Sequence, residues 1–143
     1  MKTFSTALLI QAAPAAIWQI LTDTSAYPSW NTTVAKIDGR IALGETIKVH
    51  VNAVPGRAFP VKVVVLEAPR RMVWRGGMPL GLFKGERTYE LRSLGPTKGV
   101  EFSMRESFTG FLAPLIAKSI PDLQPAFDAF AACLKARAER SQP

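Results

Sequence analysis

A carboxylate interrupts an otherwise apolar face in the stretch FSMRESF (102–108). An extended chain points alternate side chains to opposite sides, so Glu106 shares one side with Phe102, Met104 and Phe108. An isolated carboxylate in apolar surroundings carries a high free-energy cost. Glu106 is therefore expected to have a cationic partner or to take part in acid–base chemistry.

The preceding extended stretch, GERTYEL (85–91), supplies a partner. Arg87 and Tyr89 share one parity in it. The two stretches follow each other around the turn-forming residues 95–98, so they are expected to pair as antiparallel strands. If inward positions face inward positions, Arg87 lies opposite Glu106 or one pair diagonal to it, within reach of two long side chains. We predict an Arg87–Glu106 ion pair on the inner face of a sheet.

Two interpretations of this pair stay open. In the first, the pair orients the polar end of a ligand. In the second, it is a satisfied polar patch near a cavity rim, accompanied by water, and binds nothing specific. For an enzyme, Glu106 and Tyr89 are the inward candidates for a catalytic acid or base, although pairing with Arg87 counts against Glu106 as a proton donor.

The cysteine and histidine counts exclude several kinds of site. Cys133 is the one cysteine in the sequence, which rules out an internal disulfide and a CxxC metal site. The one histidine, His50, lies in IKVHVN on the side opposite Ile47, Val49 and Val51, so it is expected to point to solvent. We predict no metal site and no cofactor.

Composition is typical of one globular domain spanning residues 1–143, with 48% hydrophobic and 20% charged residues. The net charge of +7 raises the question of nucleic acid or an anionic membrane. The cations are scattered and only Arg70 and Arg71 are adjacent, so nucleic-acid binding is not expected. The apolar run near the N-terminus is interrupted by Gln11 and alternates like a strand, and no stretch reaches the ~18 apolar residues of a spanning helix. A cytoplasmic location is the default expectation.

The remaining elements follow from periodicity and turn residues. Residues 4–10 alternate as a first strand, Pro14 suits the first turn of a helix, and a very short second helix is predicted to stop at Pro28. Short turns then separate six further extended runs, which favours antiparallel hairpins and excludes parallel βαβ units. The six runs are 34–41, 45–53, 59–67, 70–76, 84–94 and 99–109.

The C-terminal segment predicts a helix that packs by one face. Its apolar residues recur at helical spacing as Leu123, Phe127, Phe130 and Leu134. Proline breaks a helix interior, so Pro121 and Pro125 limit where this helix begins. We predict a helix from about 122–125 to 139 with Asp122 as its cap. A separate apolar turn or short helix is expected at 112–119.

Three stretches together resemble a known superfamily. They are IQAAPAAIWQILTDTSAYPSWN (10–31), RMVWRGGMPLGLFKGERTYEL (71–91) and EFSMRESFTGFLAPLI (101–116). They resemble the START-like, or SRPBCC (Bet v 1-like helix-grip), superfamily, and within it the bacterial polyketide cyclase/dehydrase-like proteins. The resemblance covers nearly the whole chain and preserves the order of the elements. The prolines at 121 and 125 depart from it, because many relatives run a continuous helix there, which bears on the shape of the cavity mouth.

The resemblance implies an α+β helix-grip fold. In that fold, a seven-stranded curved antiparallel sheet wraps around a long C-terminal helix, two short helices follow strand one, and a cavity lies between sheet and helix. Members bind lipids, sterols, polyketides or hormones, a few are cyclases, and some bind protein partners. No family-wide catalytic residue carries over to this chain.

The strand residues that face the inner side of the sheet, together with the apolar face of the helix, are predicted to line the cavity. They are Met72, Trp74, Arg87, Tyr89, Leu91, Phe102, Met104, Glu106, Phe108, Phe127 and Phe130. The leading hypothesis is binding or transport of a small hydrophobic ligand that is lipid-, aromatic- or polyketide-like. A polyketide cyclase or dehydratase is the alternative, and a co-chaperone-like partner protein is the third. The sequence does not indicate an oligomeric state.

The loop GGMPLGLF (76–83) is unusually apolar. It is expected to act as a mobile lid, to contact a membrane transiently, or to pack under the C-terminal helix. Near the N-terminus, Tyr27 and Trp30 are expected to pack at a helix-to-strand corner. Asn31 is expected to cap or close that turn.

Overall fold

A computed structural model describes residues 2–52 and 54–140, and within these ranges the chain forms one curved sheet of seven strands and four α-helices. The sheet is antiparallel throughout and has the order β1-β7-β6-β5-β4-β3-β2. The strands are β1 (Lys2–Ile10), β2 (Val34–Asp38), β3 (Thr46–Val51), β4 (Ala58–Glu67), β5 (Arg71–Met78), β6 (Phe83–Ser93) and β7 (Val100–Thr109). The predicted antiparallel architecture is confirmed.

Two short helices follow β1 and one long helix follows the last strand, as the helix-grip fold requires. The α-helices are α1 (Pro14–Thr22), α2 (Tyr27–Trp30), α3 (Ala113–Ile116) and α4 (Gln124–Arg140). Two 3₁₀ turns, Thr24–Ala26 and Ala117–Ser119, connect them. No helix in the described part of the chain is long and apolar enough to cross a membrane.

Proline marks the start of the N-terminal helices, and one prediction about it is wrong. Helix α1 begins at Pro14 as expected. Pro28 does not stop a helix but is the second residue of α2, where its missing N–H would have no intrahelical partner in any case. The turn after α2 is closed as predicted, because Asn31 Oδ1 accepts hydrogen bonds from the backbone N–H groups of Thr33 (2.9 Å) and Val34 (3.2 Å).

The long helix begins where the two C-terminal prolines allow it to begin. Pro125 is the second residue of α4, and Pro121 lies before the helix. The backbone N–H of Gln124 donates to Asp122 Oδ1 at 3.1 Å, so Asp122 satisfies a donor of the first turn. The separate short helix expected at 112–119 is present as α3 and the 3₁₀ turn after it.

Glycines that were predicted to end a strand lie inside one. Strand β5 continues through Gly76 and Gly77 to Met78, because these glycines let neighbouring backbones approach closely. A Cβ atom at Gly76 would lie 2.8 Å from the carbonyl oxygen of Pro60. At Gly77, which has a φ of 127°, a Cβ atom would lie 2.4 Å from the carbonyl oxygen of Phe83.

The core lies between the concave face of the sheet and the buried face of α4. Phe130 is its aromatic centre, with ring centroids of Tyr27, Trp30, Tyr89 and Phe102 between 5.7 and 6.4 Å from its own. These rings come from helix α2 and from two different strands of the sheet. One side chain of α4 therefore fixes the position of the helix on the sheet.

Truncation of Phe130 tests this role. We expect Phe130→Ala to lower the free energy of unfolding by about 3–5 kcal/mol, because it leaves a cavity at the centre of the ring cluster. Urea denaturation of the purified variants measures the change. Phe111→Ala is the matched control, since Phe111 is 84% exposed, and it should change the free energy by less than about 0.5 kcal/mol. Equal losses in the two variants would contradict a central role for Phe130.

Candidate functional site

An ion pair joins β6 and β7 on the concave face of the sheet. Arg87 and Glu106 are direct cross-strand partners, as the alternation of both strands predicted. Arg87 Nε donates a hydrogen bond to Glu106 Oε1 at 2.5 Å. The two side chains are 18% and 15% exposed, so the pair lies at the boundary between the interior and solvent.

Apolar groups surround the pair on the inner side. The Arg87 guanidinium lies over the ring of Phe127, with its carbon 4.8 Å from the ring centre. Phe4 is the cross-strand partner of Glu106 on β1, and its ring centre is 6.0 Å from that of Phe127. Gly85 flanks the carboxylate, since a Cβ atom there would lie 3.9 Å from Glu106 Oε2. The pair is thus held in a largely apolar frame with a glycine beside its carboxylate.

Two buried donors that make no hydrogen bond of good geometry with the described residues accompany the pair. Trp74, the cross-strand partner of Arg87 on β5, packs edge-on against Tyr89 with ring centres 4.9 Å apart. Trp74 and Tyr89 are 3% and 0% exposed. Neither Trp74 Nε1 nor the Tyr89 hydroxyl has a hydrogen-bond partner within the described ranges. Leaving a buried polar group unpaired costs about 1–3 kcal/mol, so this patch has unused hydrogen-bonding capacity.

The surroundings set the protonation states of these groups. Burial raises the pKa of Tyr89 to about 12, and the nearby Arg87 guanidinium offsets part of that rise. Burial by itself would lower the pKa of Arg87, but the Glu106 carboxylate and Tyr89 outweigh it, so this pKa is raised. Arg87 counteracts the rise in the pKa of Tyr89 first through its charge and then as a nearby hydrogen-bond donor, although no hydrogen bond of good geometry reaches the Tyr89 hydroxyl. At neutral pH the site therefore offers a charged guanidinium and a protonated phenol.

The structure brings the predicted cavity-lining residues to one interior region. The fully or nearly fully buried ones are Met72, Trp74, Tyr89, Leu91, Phe102, Met104, Phe108, Phe127 and Phe130. They belong to a single packed cluster, with the Arg87–Glu106 pair at its edge. Two hollows found along the described residues lie elsewhere, one of about 160 Å³ beside α1 and one of about 480 Å³ beside residues 93–100. Neither hollow is lined by a predicted cavity residue.

The histidine and the cysteine lie away from this region. His50 Nε2 is 2.9 Å from Asp38 Oδ2, and this hydrogen bond lowers the pKa of Asp38. The His50 side chain is 26% exposed, so it is turned to a partner on the neighbouring strand rather than fully to solvent. Cys133 Sγ lies 3.5 Å from Thr32 Oγ1. The described residues include no group of three His, Cys, Asp or Glu side chains that could hold a metal ion.

Sequence reasoning missed two neighbours of the pair. Phe4 belongs to the alternating first strand, and this alternation was a usable signal for its inward position. Gly85 has the same parity as Arg87, but its role beside Glu106 depends on the register of the two strands. A lone glycine in a strand carries no such information by itself.

A double-mutant cycle measures how strongly the pair is coupled. We expect Arg87→Met and Glu106→Gln each to lower the free energy of unfolding by about 3–5 kcal/mol, because each leaves the other group poorly paired. The double variant should lose less than the sum, which gives a coupling energy of about 1–3 kcal/mol by urea denaturation.

The exposed pair on the same two strands provides the matched control. Arg92 and Glu101 are also cross-strand partners, but their side chains are 69% and 42% exposed. The cycle with Arg92→Met and Glu101→Gln should give a coupling energy below about 1 kcal/mol. Equal coupling in the two cycles would refute the special environment of the inner pair.

The pH dependence of the protein should report the buried tyrosines. Tyr27 and Tyr89 are the only tyrosines in the sequence, and burial is the main cause that raises the pKa of each above 10.0. The unfolded chain loses these protons near pH 10 while the folded chain keeps them. Stability contributed by the protonated phenols is therefore present below about pH 10 and is lost as the pH rises toward 12.

Absorbance titration of tyrosinate checks this expectation. Native protein should form little tyrosinate at a pH where the urea-unfolded chain is half ionised. Tyr89→Phe removes one of the two delayed ionisations and serves as the assignment control. Ionisation of native and unfolded protein at the same pH would contradict the buried setting of both phenols.

Comparisons with known proteins agree with this architecture. Residues 1–139 match the family described as polyketide cyclase/dehydrase and lipid transport. A curated relative, the oxopyrrolidines biosynthesis cluster protein O of Penicillium oxalicum, is 28% identical over 129 residues. That match covers 69% of this chain and 64% of the relative, so the chain spans less than two thirds of the relative's length.

Two solved structures share the fold. A START superfamily protein from Mycobacterium smegmatis superposes with a TM-score of 0.71 and 17% identity, covering 98% of this chain and 99% of that one. The Aha1 dimer from Colwellia psychrerythraea gives a TM-score of 0.73 and 22% identity, with full coverage of both chains. Because residues 1–139 match this family over nearly the whole sequence, the chain belongs to the polyketide cyclase/dehydrase and lipid transport family.

Proposed function

We propose that this protein binds and carries a small hydrophobic ligand whose polar end contacts Arg87, Glu106, Tyr89 and Trp74. The observation that carries the proposal is the inner ion pair with two buried, unpartnered donors beside it. Membership of the family supports the general part of this proposal, which is a role with hydrophobic or polyketide-related ligands.

The donors and acceptors of the site favour a neutral polar group with acceptor oxygens. The Nε–H group of Arg87 donates to Glu106. The site has three further kinds of donor, which are the terminal N–H groups of Arg87, the Tyr89 hydroxyl and the Trp74 N–H. The guanidinium charge is balanced by the carboxylate, so the site has little net charge to attract an anion. A carbonyl or a hydroxyl on an otherwise apolar molecule fits this set best, which is the chemistry of a polyketide, an aromatic ketone or a lipid.

Ligand entry has to separate side chains that are packed in the structure. Phe83 stacks on Phe108 with ring centres 5.8 Å apart and an angle of 12° between the planes. Phe108 lies two residues from Glu106 on the same face of β7, and Phe83 begins β6 beside the apolar loop 79–82. We infer that the apolar part of a ligand enters past these two stacked rings, which would then act as its closure.

A cyclase or dehydratase is the second candidate, and the protonated Tyr89 hydroxyl is the observation that favours it. A buried phenol can polarise a ligand carbonyl, and a carboxylate nearby can accept a proton from the adjacent carbon. In this structure Glu106 is held by Arg87, which is suited to binding more than to proton transfer. Binding therefore ranks above catalysis. The described residues of the inner site offer no observation that favours a partner-protein role, and the likeness to the Aha1 dimer structure shows the fold alone.

Ligand retention tests the binding proposal. Gently purified protein is analysed by native mass spectrometry, and binding of a panel of fatty acids, aromatic ketones and polyketide-like molecules is titrated. The double variant Arg87→Met/Glu106→Gln should weaken binding about 10- to 100-fold, because it removes hydrogen bonds to the ligand's polar end. Tyr89→Phe should weaken binding by about 3- to 10-fold for the same reason.

The exposed pair again supplies the control. Arg92→Met/Glu101→Gln should leave ligand affinity unchanged, and circular dichroism establishes that all variants are folded. Unchanged affinity in the folded inner-pair variant would refute the proposed site. A ligand that is converted by the protein, with Tyr89→Phe lowering turnover more than affinity, would favour the enzyme instead.

A further inference from the structure

Two apolar segments that are distant in sequence form one exposed surface at an end of the sheet. The loop 79–82 joins β5 to β6, and residues 110–116 follow β7. The backbone N–H of Phe111 donates to the carbonyl oxygen of Gly81 at 3.1 Å, and that of Leu112 donates to Leu82 at 2.7 Å. These hydrogen bonds tie the segments together. We call the exposed apolar side chains on them the apolar tip, which consists of Met78, Leu80, Leu82, Phe111 and Leu115.

The apolar tip is unusually exposed for residues of this kind. Leu80 is 95% exposed, Phe111 is 84% exposed and Leu115 is 69% exposed. Exposed apolar residues that cluster in this way mark interaction sites, whereas scattered ones need no explanation. The clustering here is maintained by backbone hydrogen bonds, so the side chains are presented by a defined support rather than by a loose loop.

The charged residues within the two segments of the apolar tip are lysines, and the nearest acidic residues in the sequence, Glu86 and Asp122, lie just beyond them. Residues 76–84 and 109–121 contain Lys84 and Lys118 and no acidic residue. A third lysine reaches the same end, because Lys2 Nζ donates to the carbonyl oxygen of Ile120 at 3.3 Å. The nearest arginine on β5, Arg75, is balanced by Glu86 at 2.8 Å. The apolar tip therefore has a basic border on a protein of net charge +7.

We propose that the apolar tip docks on an anionic lipid bilayer. Leu80 and Phe111 enter the boundary between headgroups and acyl chains, and Lys84 and Lys118 contact the lipid phosphates. An apolar apex with a basic border is the combination that binds such interfaces, because burial of apolar area and attraction to anionic lipid add together. A protein partner with an apolar groove would not by itself account for the lysines at this end of the molecule.

The position of the tip gives docking a consequence for the inner site. Phe83 directly follows the loop and stacks on Phe108, which leads to Glu106 on the same face of β7. Docking places this closure against the bilayer, so that a membrane-derived ligand enters without crossing water. This consequence rests on the proposed function, whereas docking itself rests on the apolar tip and its lysines.

Vesicle flotation tests the docking. The full chain is mixed with vesicles of phosphatidylcholine alone, or of phosphatidylcholine with phosphatidylglycerol as about a quarter of the lipid. We expect the protein to float with the anionic vesicles and about tenfold less with the neutral ones. Leu80→Ser/Phe111→Ser should lower binding to anionic vesicles at least about tenfold. Leu43→Ser is the matched control, since Leu43 is 65% exposed on the loop between β2 and β3, and it should bind like the unaltered protein.

Charge reversal distinguishes the effect of the lysines beside the apolar tip from the effect of the protein's net charge. Lys84→Glu/Lys118→Glu should weaken binding to anionic vesicles more strongly than two reversals elsewhere, Lys48→Glu/Lys98→Glu, which change the net charge equally. Loss of binding to the same degree in both pairs would overturn the assignment to this border. Binding that is unaffected by Leu80→Ser/Phe111→Ser would overturn the role of the apolar tip.

One further outcome distinguishes a second copy of the chain from a membrane as the occupant of the apolar tip, and another distinguishes membrane docking from the proposed ligand binding. If light scattering shows a dimer that Leu80→Ser/Phe111→Ser converts to a monomer, and vesicle binding is absent, a second copy covers the tip and membrane docking is refuted. The inner-pair variant Arg87→Met/Glu106→Gln should float like the unaltered protein even though it loses ligand. Failure of ligand binding with intact flotation would thus refute the proposed function alone.

Discussion

The hydrogen-bonded ion pair between Arg87 and Glu106 is the constraint on which the rest of the inner face depends. Both groups lie in a mostly apolar setting, where a mispaired charge is far costlier than it would be in water. A slip of one residue between β6 and β7 would send one member to the outer face and leave the other alone. The pair therefore fixes the register that also sets Tyr89 opposite Met104 and Leu91 opposite Phe102.

Helix α4 turns this register into a closed interior. Phe127 covers the guanidinium, and Phe130 contacts rings that come from α2, β6 and β7. Closing the face excludes water from Trp74 Nε1 and the Tyr89 hydroxyl, and the same step leaves them without partners. The unused hydrogen-bonding capacity is thus a product of the packing that stabilises the fold. It lies beside the charged pair because Trp74 is the cross-strand partner of Arg87.

The sequence was most informative where one local pattern determined the outcome. Alternation in 85–91 and 102–108, with the turn between them, was enough to predict the Arg87–Glu106 pair. The prediction that the strand ends at Gly76 and Gly77 was wrong. At these positions the close approach of the backbone of neighbouring strands decides which residue is tolerated. The prediction that Pro28 stops a helix was wrong, because the sequence alone does not distinguish a proline in the first turn of a helix from a proline just after its end. The alternation of side chains could not predict the unpartnered donors, since these depend on how α4 packs over strands that are distant in sequence.

The inner pair lies in the middle of β6 and β7, and the apolar tip lies beyond the end of these strands where β6 begins and β7 ends. Phe83 and Arg87 are four residues apart on β6, which is about 13 Å along a strand. In the proposed function, a ligand that spans this distance would have its polar end at the inner pair and its apolar end near the apolar tip. Because Glu106 already neutralises Arg87, a neutral ligand proposed for this site would be oriented by hydrogen bonds without being held by a full ion pair. Such a site would select the orientation of the proposed ligand and still permit its release, which suits the proposed role of a carrier better than that of a permanent store.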